Sequence, residues 1–350
     1  MSGHKMVKKR PPPGFKLVAP LTPEPVATAP LDLDDRFMSD LGGRLPEPTE
    51  ISADTIETLH ELGRGAYGVV ERVRHIESGI QFAVKRIHAT INDEEQRRMI
   101  VELRANMLSS KCQYLVQCFG AMFREGDVWI CMEIMDAPVD KLYKQCSDLK
   151  RPIPEIALRR ITICTVRGLD YMKREMNLMH RDVKPSNILA SKTGLAKICD
   201  FGISGHLTNS VAKTVSAGAK PYMAPERIYG DNKDKYDIRS DVWSLGISLI
   251  EIATGTHPYS AWKTPFEQLK QVVNEPSPTL PADKGFSDEF RDFAKVCLEK
   301  EFHKRPYHAG LLAHPWLAAC DDDSDAQVLG EFVTSILEEM EKRRAEMGVV

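Results

Sequence analysis

Eight cysteines in 350 residues, none in a Cys-x-x-Cys pair and none near histidines at zinc-ligand spacing, exclude a disulfide framework and a structural zinc site. They fit a reducing compartment. Long apolar runs are also missing. The most apolar helix-like stretch, Val242 to Ala253, is cut by Glu251, which argues against a membrane span. The first 30 residues are broken by prolines and position 2 is Ser rather than Gly, so neither a signal peptide nor a myristoylation site is expected. A formal net charge of -3 gives no global reason to expect nucleic-acid binding, and any basic site must be local. Residues 1–50 contain no Cys, Trp or Tyr but nine of the 22 prolines. Such a stretch cannot bury enough surface to offset its ordering entropy, and a disordered arm is expected over residues 1–55.

The whole chain is 42% hydrophobic and 28% charged, ample for one or two domains with a core. From Ile56 short β-branched runs recur around Val69, Val70 and Val73, from Phe82 to Ile87 and from Val128 to Met132, with one helical stretch between, Asn92 to Leu108. That pattern predicts a small sheet with one helix over residues 56–135. After Met135 helical spacing dominates: Leu158, Ile161, Thr165, Leu169 and Met172 form a core-facing stripe, and Ser240 to Thr254 reads as a buried central helix ended by Gly255. A mostly helical lobe is therefore expected over 136–317, followed by a helical extension over 318–350.

The chemistry sits in four places. His180-Arg181-Asp182-Val183-Lys184-Pro185-Ser186-Asn187 is followed, thirteen residues after that Asn, by Asp200-Phe201-Gly202. Two carboxylates, an amide and a lysine in this order suit hard Mg²⁺ and developing phosphate charge. Leu62-Gly63-Arg64-Gly65-Ala66-Tyr67-Gly68-Val69-Val70 places glycines between two strand-like runs, where backbone amides can approach phosphate oxygens. A dinucleotide fingerprint should open a helix instead, and this one returns as a strand. Fifteen residues on, Ala83-Val84-Lys85 supplies a strand lysine, with Glu102 on the following helix as its expected ionic partner. Together these motifs are the ATP- and Mg²⁺-binding and catalytic set of a protein kinase. In that set Asp182 is the base for the substrate hydroxyl, Lys184 steadies the transferring phosphate, Asn187 and Asp200 ligate the metal, and Lys85 holds the α and β phosphates. His180 reads as structural, Arg181 as a cation awaiting an anion from the activation segment, and Cys199 as lining the nucleotide pocket or as an inert buried thiol. Ala224-Pro225-Glu226 closes the segment, with Arg305 expected on Glu226 and Asp241 on the catalytic-loop backbone.

Finer details resemble one family, the mitogen-activated protein kinase kinases. Asp200 to Gly205, then Ser210-Val211-Ala212-Lys213-Thr214, then Ala217 to Arg227 looks like that family's dual-phosphorylated loop. Phe123 to Glu133 and Thr264 to Leu269 are similar to the stress-responsive branch, the osmosensing type favoured. The resemblance implies an α+β bilobal fold, a small antiparallel sheet lobe with one helix joined to a larger helical lobe. It implies phosphorylation of both Thr and Tyr in the Thr-x-Tyr loop of a stress-activated MAP kinase, after activation at Ser210 and Thr214 by an upstream MAP kinase kinase kinase. By position, Met132 is the gatekeeper, Glu133 to Met135 the adenine-binding hinge, and Leu189 part of the nucleotide site. Lys8, Lys9 and Arg10, then Phe15 and Leu17, resemble a MAP kinase docking motif, cations for an acidic patch and apolar side chains for a groove; a nuclear-localisation signal is its rival.

Two positions depart from the common pattern: Ala219, where many kinases carry Thr, and Asn106, where many place an apolar spine residue. The stripe Val328, Leu329, Phe332, Val333, Ile336, Leu337 and Met340 fits packing on the large lobe and docking of an upstream kinase equally well. No nucleic-acid or membrane partner is expected, and residence is cytoplasmic, with the nucleus as a second compartment. Two other functions compete with an active dual-specificity enzyme: a catalytically silent scaffold of kinase fold, and a kinase specific for Ser and Thr alone.

Overall fold

A computed structural model describes residues 34–65, 68–88, 111–200, 221–228, 237–259, 262 and 264–346. The small lobe is a five-stranded antiparallel sheet, formed after a two-stranded hairpin of β1 (Arg36–Ser39) and β2 (Thr49–Ser52). Its strands are β3 (Ile56–Gly65), β4 (Gly68–His75), β5 (Gln81–His88), β6 (Cys118–Arg124) and β7 (Asp127–Met132), in spatial order β3-β4-β5-β7-β6. Period-two alternation sets the faces. Phe82 and Val84 of β5 enter a core with Val73, Met122, Trp129 and Cys131, so Ala83 and Lys85 fall on the opposite face. Glu125 and Gly126, with φ of 54° and 85°, supply the two left-handed residues of the tight β6–β7 hairpin.

The disordered arm expected over residues 1–55 does not include residues 34–55. Residues 34–55 fold onto the small lobe: Leu41 and Ile51 are fully buried in its core, with Phe37 packed against it. The Phe123 N–H donates to the Asp34 carbonyl at 2.9 Å, and a Cβ on Gly120 would lie 2.2 Å from the Phe37 ring. Three apolar side chains and a strand pair supply the burial that proline content alone argued against. Residues 1–33 and the helix expected at 92–108 lie outside the described residues.

The large lobe contains β8 (Ala137–Pro138), α1 (Val139–Asp148), α2 (Glu155–Met176), β9 (Ile188–Ala190), β10 (Ala196–Ile198), α3 (Arg239–Thr254), α4 (Asp288–Cys297) and α5 (Asp322–Glu346). The α2 stripe Leu158, Ile161, Thr165, Leu169 and Met172 is buried throughout. Helix α3 is buried from Arg239 to Ile252 and stops at Gly255, whose φ of 80° is the left-handed cap that releases the chain. Helix α5 buries Leu329, Phe332, Val333 and Ile336 in the large-lobe core. Its backbone meets the β9–β10 turn so closely that a Cβ on Gly330 would lie 2.4 Å from the Lys192 carbonyl oxygen. No helix among the described residues is long and apolar enough to cross a membrane.

Candidate active site

The segment His180–Asn187 is held from below by α3. Asp241, in its first turn, accepts from the backbone N–H groups of His180 and Arg181, each at 2.8 Å. These bonds hold Arg181 at φ 66°, a conformation a non-glycine residue adopts at some cost and keeps only where its surroundings impose it. The fully buried His180 ring lies 2.9 Å through Nε2 from the Cys199 carbonyl and receives the Asp182 N–H on Nδ1 at 3.2 Å. A neutral ring protonated on Nε2 satisfies both contacts, and this histidine is a bracket between the loop and the residue before Asp200. The Cys199 N–H donates to the Asn187 carbonyl at 3.0 Å, completing the bracket. Burial first, and then the Asp200 charge, push the Cys199 thiol well up, so it stays a thiol.

Within the bracket, Lys184 Nζ donates to Asp182 Oδ2 at 2.7 Å. The Asn187 amide donates to the same oxygen at 3.1 Å and to the Asp182 carbonyl at 2.8 Å. One carboxylate oxygen is thus fixed by two donors. The other, Oδ1, has no protein hydrogen bond among the described residues.

Lys85 reaches across from the small lobe, and its Nζ lies 2.8 Å from Asp200 Oδ1. The lysine side chain is 5% exposed, so its charge is stabilised by protein partners rather than water. Burial pushes the Asp200 carboxyl up, but the Lys85 ammonium overrides this and holds it below the usual carboxylate range. Asp200 is also left-handed, at φ 60°. Two residues 115 apart in sequence therefore meet because β5 alternation points Lys85 away from its own lobe's core.

The glycine loop closes the same cleft from above. Gly65 pairs with Gly68 where β3 turns into β4, and Val70 is in register with Lys85. Gly68 is required by its own fold: at φ 141°, a Cβ there would lie 1.9 Å from the Arg86 carbonyl oxygen. Gly63 and Gly65 differ, since a Cβ on either would meet nothing within 4 Å. Their bareness serves no internal packing, which fits close approach by phosphate groups. At the back of the cleft Ala83 is in register with Met132, and Leu189 sits in β9 opposite Pro138. The Glu133 side chain turns away from the cleft to the Gln117 N–H, at 2.6 Å, and Lys197 Nζ, at 2.5 Å. Its own N–H donates to the Gln117 carbonyl at 2.9 Å. Any nucleotide contact from Glu133 is therefore left to its carbonyl oxygen.

Residues 56–317 match the protein kinase domain family. The dual specificity mitogen-activated protein kinase kinase sek-1 of Caenorhabditis elegans is 51% identical over 331 residues, 95% of this chain and 97% of the worm protein. This chain is a dual-specificity mitogen-activated protein kinase kinase by family. Dual specificity mitogen-activated protein kinase kinase 7 of Homo sapiens is 47% identical over 264 residues, 75% of this chain and 62% of the human protein. The dual specificity mitogen-activated protein kinase kinase hemipterous of Drosophila melanogaster is 46% identical over 272 residues, 77% of this chain and 23% of the fly protein.

Protein kinases use ATP with Mg²⁺, and the kinase kinase's donor set is of the kind that use needs. No group of three His, Cys, Asp or Glu side chains gathers to hold a metal by itself among the described residues. Mg²⁺ binds through one or two protein oxygens, waters and substrate phosphates, and Asp200 and Asn187 can supply the protein share. The structure brings Lys85, Asp182, Lys184, Asn187 and Asp200 into one bracketed cleft. Ala66, Tyr67, Glu102, Ser210, Thr214, Lys8, Lys9, Arg10, Phe15 and Leu17 lie outside the described residues. Sequence reasoning missed Lys197 and Gln117, which orient Glu133. Their signal was weak, because Gln117 acts through its backbone and Lys197 reads as an ordinary strand lysine.

Behind the cleft, Glu226 receives Arg305 at 2.8 Å, with both side chains almost wholly buried. Arg227 Nη1 donates to the Arg181 carbonyl at 3.2 Å. The segment 221–228 is thereby fixed beside the loop that carries Asp182.

Proposed function

We propose that this kinase kinase transfers the γ-phosphate of Mg-ATP to both Thr and Tyr in the Thr-x-Tyr loop of a stress-activated MAP kinase, and is itself switched on by phosphorylation of Ser210 and Thr214. The observation that carries the transfer chemistry is the state of Asp182: Oδ2 fixed by Lys184 and Asn187, Oδ1 left to accept a substrate hydroxyl proton. Lys184 beside that carboxylate is placed to balance charge growing on the transferred group. ATP with its metal supplies the phosphoryl group and neutralises its charge; Asn187 and Asp200 hold the metal, Lys85 the phosphates, and Gly63 and Gly65 admit them. Around the base of the nucleotide, Met132, Ala83, Val70 and Leu189 line the pocket, with Glu133 and Met135 offering backbone groups. The similarity to sek-1 and kinase kinase 7, both dual specificity mitogen-activated protein kinase kinases, supports a MAP kinase as substrate.

Lys8, Lys9, Arg10, Phe15 and Leu17 would engage the substrate's acidic docking surface. A phosphate adds about -1.5 to -2 charge, enough to order the segment against Arg181 and neighbouring cations. An upstream kinase kinase kinase would approach the exposed side of α5, and the enzyme would work in the cytoplasm with access to the nucleus. The test uses the full chain carrying Ser210→Asp and Thr214→Asp, Mg-ATP and a catalytically dead stress-activated MAP kinase, with mass spectrometry of the substrate loop. Phosphate on both Thr and Tyr is expected, and Asp200→Ala or Lys85→Met in a folded protein should abolish it. Phosphate on Thr alone would mean a Ser/Thr-specific kinase, and none on any MAP kinase would mean a scaffold.

A further inference from the structure

Glu251 sits in the most apolar helix of the molecule. It is 6% exposed and has no ion-pair partner among the described residues. Its carboxylate is instead divided between two phenols. Tyr143 donates to Oε1 at 2.5 Å and Tyr222 to Oε2 at 2.6 Å. Burial first, and then the neighbouring carboxylate, push both phenols well up, so both remain donors. A buried carboxylate without a cation is costly, and a structural core offers cheaper ways to fill that volume.

The two tyrosines come from opposite functional sides. Tyr143 lies on α1, the helix that directly follows the hinge and whose Lys141 Nζ donates across the cleft to the glycine-loop carbonyl of Leu62 at 3.2 Å. Tyr222 lies in the segment 221–228, tied to the Asp182 loop through Arg227. The Tyr222 carbonyl is also held by Ser244 of α3 at 2.7 Å, and its ring meets His257 edge-on at 5.3 Å. The segment is bonded to the residue that precedes Asp182, where a substrate hydroxyl would be received. Its placement therefore bears on how a protein substrate would sit.

We propose that Glu251 is a positioning residue for phosphoryl transfer, clamping Tyr222 of the substrate-side segment to Tyr143 of the nucleotide-side helix so that the two move as one body. The proposal rests on the kinase reading above and adds a residue to it. Charge-assisted phenol–carboxylate bonds are short and directional, and sharing one carboxylate makes the two tyrosines dependent on each other. Glutamine preserves the bridge: its carbonyl accepts from one phenol while its amide donates to the other. Alanine removes both bonds.

The test is steady-state kinetics in the Ser210→Asp, Thr214→Asp chain, with a catalytically dead MAP kinase and, in parallel, casein as a generic substrate. Tyr222→Phe, Tyr143→Phe and Glu251→Ala should each raise KM for the protein substrate roughly five- to tenfold while KM for ATP stays within about twofold. Glu251→Gln should return the protein KM to within about twofold of the parent. Loss of a merely structural contact would lower the melting temperature without that split. Protein KM values unchanged from the parent in folded Tyr222→Phe and Tyr143→Phe would overturn the clamp. If Glu251→Ala fails to fold, the two phenylalanine variants still decide. Parent activity on casein but not on the MAP kinase would overturn the substrate reading and leave the clamp to be read on casein; no transfer to either would overturn both.

Discussion

Each lobe is completed by a segment that lies outside residues 56–317, and the two segments are attached by different physics. The small lobe takes the β1–β2 hairpin through apolar contacts: Leu41 and Ile51 are fully buried, while the hairpin's ion pair Arg36–Glu50, at 3.2 Å, is about half exposed. The large lobe takes α5 through apolar contacts and buried charge together. Asp325, with a side chain 2% exposed, receives Arg159 in a two-pronged bond at 2.7 and 2.9 Å. Asp322 bridges Arg160 and Arg167. A hairpin held by area loses stability in proportion to what is removed. A helix held by buried charge loses more when one partner goes, because the other is left uncompensated.

That contrast can be broken experimentally. The largest effect is expected for Asp325→Ala, which strands Arg159 and should cost about 3–5 kcal/mol in denaturant unfolding; a loss below about 1 kcal/mol would show that Arg159 finds water and that α5 is held by area alone. Leu41→Ala should cost somewhat less, about 3 kcal/mol from lost transfer and cavity terms, measured the same way. Acid should distinguish the two attachments. The Arg167 guanidinium, joined by Arg160, holds the Asp322 carboxyl below the usual range despite partial burial. A depressed folded value means that this stabilisation is present above the ordinary value of about 3.9 and is lost as pH falls through the folded value. Hydrogen exchange should then show α5 loosening below about pH 4 ahead of the hairpin strands. Arg36→Ala should be the smallest change, within about 1 kcal/mol, and a larger one would mean that the hairpin also depends on charge.

The active-site motifs were legible because their chemistry is local. Asp182, Lys184 and Asn187 act within eight residues of His180, and a short loop cannot scatter them. Lys85 was legible from β5 alternation; its ion pair with Asp200 is described, while Glu102, the partner that sequence spacing suggested, lies outside the described residues. The hairpin was misread because its anchors are sparse, flanked by Gly and Pro, and meaningful only against β6 and the small-lobe core. Glu251 left a trace, as the one charge interrupting Val242 to Ala253, but a lone glutamate does not announce two tyrosines, 108 and 29 residues away in sequence.

By itself, the sequence determined which atoms could handle a phosphoryl group, since residue type and short spacing fix donors, acceptors and charge. It also determined the α5 stripe, since helical periodicity is a property of the segment alone. Only the tertiary structure decided that residues 34–55 belong to the small lobe, that α5 is locked to α2 by ion pairs, the Arg159–Asp325 one buried, and that Glu251 bridges Tyr143 and Tyr222. Those outcomes depend on surfaces that meet only when distant segments pack, where the cost of desolvating a charge or exposing an apolar side chain is settled by the partner.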